Sequence, residues 1–125
     1  MTVASTGKTF EAAEDDDASI DVETISSRTH TVLGLRMDTT TRAAMDRHLP
    51  AIAGHLNRLL REDLGADDDS EVRQLLREGT MLVDLTNRPT AETPTFGTYF
   101  YLRGVALVTR RLLWIYSERN GLDAP

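Results

Sequence analysis

The sequence predicts an all-α fold: a compact antiparallel bundle of about four helices behind an acidic leader. Two observations carry this. Apolar residues recur three and four positions apart in four separate stretches of the chain. Each stretch is bounded by residues that start or stop helices, and all but one of the intervening segments are short, which makes neighbouring helices antiparallel.

The elements follow in order. Residues 1–18 are small, polar and acidic with no apolar period, and read as a disordered, solvated leader ahead of a bundle domain at 19–125. Helix one is expected at about Val22 to Gly34. Val22, Ile25, Val32 and Leu33 fall near one face with Thr29 between them; Asp21 is the N-cap and Gly34 the stop. Helix two is expected at about Thr41 to Leu64. Met45, Leu49, Ile52, Leu56, Leu59 and Leu60 make its stripe, Pro50 must kink it or mark its first turn, and Gly65 ends it. Helix three is expected at about Ser70 to Leu85, capped by Asp68 with Glu71 three residues on. Its buried face is Val72, Leu75, Leu76, Leu82 and Val83, and Gly79 on that face marks the close approach of another helix. Asn87 to Thr95 is the long loop. Helix four runs from about Gly97 to Arg119, with Asn120 and Gly121 at its end.

Helix four is apolar on two sides. Leu102, Val105, Val108, Leu112, Leu113, Ile115 and Tyr116 make a wide core face. Phe100, Leu107 and Trp114 recur every seven residues on the other side, beside Arg103 and Arg110. Such a helix must be covered on both sides. Either the second stripe is an intermolecular surface, or helix four is central and helix one buries Trp114. We expect the surface, with Phe100, Arg103, Leu107, Arg110 and Trp114 as interface residues.

Composition narrows the chemistry. The 125 residues include no cysteine, which removes disulfides, thiolate ligands and a Cys nucleophile, and fits a reducing, cytoplasmic setting. The net charge of −6 lies in the first 23 residues; the rest pairs 13 arginines with 13 carboxylates. The bundle therefore lacks the basic excess of a typical nucleic-acid binder. The most apolar run, Val105 to Tyr116, is broken by Arg110 and Arg111 and is shorter than the ~20 residues of a membrane span.

No catalytic residues stand out. His48 and His55 share a face of helix two, but no carboxylate completes a ligand set, so no metal and no cofactor are expected. The serines sit in no nucleophile motif, and no phosphate-binding glycine pattern is present. Asp67, Asp68 and Asp69 lie before a helix, where they favour its dipole. Arg103, Arg110 and Arg111 beside Trp114 invite a DNA-binding reading, but a recognition helix follows a tight turn, and the loop here is long. Arg and Trp together fit a protein interface better.

Three stretches also carry a resemblance: "IDVETI…TVLGL" in helix one, L-x-x-I-x-G-H-L-x-x-L-L in helix two with its Gly54–His55 pair, and "YLRGVALVTRRLLWIY" in helix four. Together they resemble a family of small helical proteins from actinomycete natural-product gene neighbourhoods, over about residues 20–120. Pro50 and the acidic turn depart from that pattern. The resemblance implies a helical fold and a biosynthetic context, and no catalytic residues. The leading expectation is a non-enzymatic accessory protein that binds another protein, including a homodimer. The second is a bundle that binds a small apolar ligand near Gly54, His55 and Gly79; the third is a DNA-binding regulator.

Overall fold

The computed structural model describes residues 20–122; the expected leader lies outside them. Four α-helices account for the bundle: α1 (Val22–Leu33), α2 (Arg42–Leu59), α3 (Ser70–Val83) and α4 (Thr95–Arg119). Two short 3-10 turns, Ala66–Asp68 and Leu85–Asn87, flank α3, and no strand occurs among the described residues.

Local chemistry explains most boundaries. Asp21 caps α1 by accepting from the Thr24 amide at 3.1 Å and its hydroxyl at 2.8 Å. These bonds, the backbone one first, hold the Asp21 carboxyl below the usual carboxylate range. The Thr41 hydroxyl caps α2 by accepting from the Ala44 amide. Asn120 closes α4, its side-chain amide donating to the Tyr116 carbonyl.

Three expected boundaries are corrected. Helix two ends at Leu59, not Leu64: tight bonds from Arg61 to Arg58 and from Glu62 to Leu59 draw in the last turn, and Leu64 then plugs the core as a separate residue. Pro50 does not mark the first turn. It lies inside α2 on the exposed side, where Asp46, whose carbonyl loses an amide partner, is exposed as well. Helix three is capped by Asp69, which accepts from the Glu71 and Val72 amides, because Asp68 is committed to the preceding 3-10 turn. Helices three and four also shift at their ends. Asp84 leaves α3 to cap the next turn through Thr86, and α4 begins two residues early, directly after Pro94.

α4 is the central element: it packs against all three other helices. Tyr99 Oη donates to the Leu35 carbonyl, joining the start of α4 to the end of α1. Arg111 pairs with Glu71, and Tyr101 Oη donates to the Leu82 carbonyl. α1 and α3 therefore run antiparallel to α4. Arg42 donates to the carbonyls of Thr90 and Thr93, fastening the start of α2 to the long loop.

The core joins Ile25 and Val32 of α1 and Met45, Ile52, Leu56 and Leu59 of α2 to Leu102, Val105, Leu112 and Leu113 of α4. α3 contributes less. Only Val72 and Gly79 are fully buried there; Leu75, Leu76, Leu82 and Val83, expected in the core, are half-buried at its edge. Polar residues also enter the core. Thr29, Thr98 and Thr109 are buried, and each hydroxyl donates to the carbonyl four residues back, so none is left unsatisfied. No helix among the described residues is long and apolar enough to cross a membrane.

Candidate functional site

Successive residues of an α-helix turn through 100°, so positions 96, 100, 103, 107, 110 and 114 share an arc of about 80° along α4. The other three helices leave this arc open. Phe96 is 56% exposed, Phe100 62%, Leu107 39% and Trp114 41%. The result is an apolar ridge of roughly 27 Å at 1.5 Å per residue. Helix four is thus central, as the rival expectation held, yet its second stripe is not buried. α1 packs beside the stripe rather than over it.

The ridge side chains are braced from both flanks. Phe100 meets the Tyr99 ring edge-on, with centroids 5.5 Å apart, and Tyr99 is held in turn by Leu35. The Arg111 guanidinium sits 5.5 Å from the centre of the Trp114 ring and closes bidentately on the Glu71 carboxylate at 3.0 and 3.2 Å. Arg103 and Arg110, on the same arc, are exposed and make no ion pair among the described residues. The arc therefore presents apolar side chains with uncompensated positive charge beside them.

Between this ridge and α1 lies a cleft of about 450 Å³. Leu107, Leu113 and Trp114 form its α4 wall. Leu33, His30 and Ser26 form the opposite wall, and Arg110 stands at the edge. A second cleft, between α1 and α2, is polar throughout and is lined by Glu23, Arg28 and His48 among others.

The five expected interface residues therefore share one exposed arc. Phe96 joins them. It was missed because helix four was expected to begin at Gly97; its spacing of four from Phe100 is the signal that a start at Thr95 makes visible.

Gly54, His55 and Gly79 do not assemble into one pocket. Gly54 is exposed, with open space where a Cβ would stand. Gly79 is buried where α3 crosses α2, and a Cβ there would lie 2.8 Å from Leu60 Cδ2 and 3.2 Å from Leu56 Cδ1. Leucine side chains fill that crossing, so it holds no room for a ligand. His55 is half-buried; its Nε2 is enclosed without a hydrogen-bond partner among the described residues. Burial, then the nearby Arg28 charge, pushes its pKa down, while Asp21 pulls weakly the other way.

No group of three or more His, Asp or Glu residues gathers as a metal site among the described residues. Asp69 acts as a helix cap. Comparison with protein-family models, with curated proteins and with solved structures found no match to this chain.

Proposed function

We propose that this protein acts without catalysis, as an accessory or regulatory module that binds another protein through the outer arc of α4. One observation carries the reading: Phe96, Phe100, Leu107 and Trp114 stand exposed in a row on the helix that otherwise organises the core. Contiguous apolar patches larger than a few hundred square ångströms are rare on monomers outside interaction sites. Aromatic residues and arginine are the types enriched at such sites. Arg103 and Arg110 beside the ridge supply a polar rim. A homodimer is one form this interaction takes. The resemblance in helices one, two and four supports a role beside natural-product biosynthesis, and the absence of cysteine fits a cytoplasmic setting.

The test is the double variant Phe100→Glu with Leu107→Glu, compared with the unaltered chain by light scattering and by co-purification from the native host. We expect the unaltered chain to self-associate or retain a specific partner, and the variant to stay helical and lose it. An unaltered chain that is monomeric and retains nothing, or a variant that keeps the same partner, defeats the proposal.

A further inference from the structure

We propose that the cleft between α1 and α4 binds a small amphipathic anion: an aromatic or branched apolar body with one acidic head group. The cleft's volume, about 450 Å³, falls in the range of roughly 300–1,000 Å³ typical of small-molecule sites. Both walls carry apolar side chains beside polar ones. Leu33 and Leu107 face each other from the two helices, and Leu113, only 1% exposed, is anchored in the core behind them. Trp114 supplies a flat aromatic surface at one end.

The charge of the site is one-signed. No aspartate or glutamate lines it, while Arg110 and Arg111 do. Arg111 is already neutralised by Glu71 on the α3 side, which leaves Arg110 as the cation without an ion pair among the described residues. An acidic head group is the complement that a guanidinium lining a cleft of mixed polar and apolar side chains selects. The Thr29 hydroxyl does not compete for the ligand, since it donates to the Ile25 carbonyl.

The aromatic wall is also held in place before any ligand arrives. Glu71 fixes Arg111 and Arg111 stacks on Trp114, so less freedom is lost on binding. The polar cleft between α1 and α2 offers no such wall, and its own Glu23 opposes an anion.

The cleft shares Leu107, Arg110 and Trp114 with the proposed interface, while Phe96 and Phe100 lie outside it and allow the two readings to be tested apart. The test uses two fluorescent probes on the full chain: the anion 8-anilinonaphthalene-1-sulfonate and the uncharged N-phenyl-1-naphthylamine. Trp114, the sole tryptophan, reports occupancy through its own emission. We expect saturable binding of the anion at one site per chain. Arg110→Gln should weaken the anion about tenfold, the loss of one charge-assisted hydrogen bond, and leave the neutral probe nearly unchanged. Arg103→Gln, outside the cleft, should change neither. Absence of saturable binding, several equivalent sites, or equal losses from Arg103→Gln and Arg110→Gln would overturn the proposal. Phe100→Glu separates the two readings: it removes the ridge and should spare anion binding. If Phe100→Glu abolishes anion binding, the anion sits on the ridge; the cleft site then falls while the interface stands.

Discussion

Arg111 stacks on Trp114 and pairs with Glu71 in the same conformation, so one guanidinium links the outer arc of α4 to α3. The link is exposed, and its contribution to stability is small. Its consequence is positional: the indole is braced against a neighbouring helix while remaining 41% exposed.

Two residues of α4 should respond unequally to the same change. Leu107→Glu places a charge on the open arc, where the side chain is already 39% exposed, and should cost about 1 kcal/mol. Leu112→Glu puts it at a fully buried position and should cost more than about 4 kcal/mol, enough to unfold a marginally stable domain. Urea titration followed by circular dichroism measures both. Equal costs would mean that the arc is not open in solution.

Below about neutral pH, His55 should become a liability. Its pKa is lowered from 6.5 in the folded protein. The unfolded chain therefore takes up the proton first as pH falls. Stability is complete above 6.5, declines as pH drops from 6.5 towards the lowered value, and then levels off. His55→Gln should flatten the slope of unfolding free energy against pH just below 6.5. An unchanged slope would trace it to another group.

The start of α3 distinguishes two adjacent aspartates. Asp69 accepts from the Glu71 and Val72 amides, so Asp69→Ala should cost about 1 kcal/mol. Asp68→Ala removes no cap and should change the melting temperature little. The reverse ranking would restore Asp68 as the cap.

At the α2–α3 crossing the size of the substituent should decide the outcome. Gly79→Ala gains about 1 kcal/mol of helix propensity and loses a similar amount by displacing a Leu60 methyl, so it should be near neutral. Gly79→Val adds two methyls to a Cβ already tight against Leu60 and Leu56 and should cost about 2 kcal/mol or more. Equal effects on the denaturation midpoint would show that the crossing is not tight.

The helices were legible because their signals are local. Asp21, Gly34 and Asn120 act through bonds to residues within a turn, and the leucine stripes of α2 and α4 keep their period whatever they pack against. Gly79 was also legible, since a glycine on an apolar helical face has few uses besides close approach. The sites fared differently. Nothing local distinguishes Thr98 and Thr109, which are buried, from the exposed Thr31 and Thr80: all four hydroxyls donate to the carbonyl four residues back, and only the packing around each separates them. The choice of Asp69 over Asp68 hung on a 3-10 turn with no periodic signature.

The sequence by itself determined four helices, their approximate limits, and a final helix with two apolar sides. Only the tertiary structure decided which side stays uncovered. That choice depends on where α1, α2 and α3 land around α4, and these are contacts between residues far apart in the chain, such as Leu35 with Tyr99 and Glu71 with Arg111. The same packing created the α1–α4 cleft and separated His55 from Gly79. Periodicity states that a face must be buried; it does not state by what, because the covering surface is supplied by another part of the chain or by another molecule.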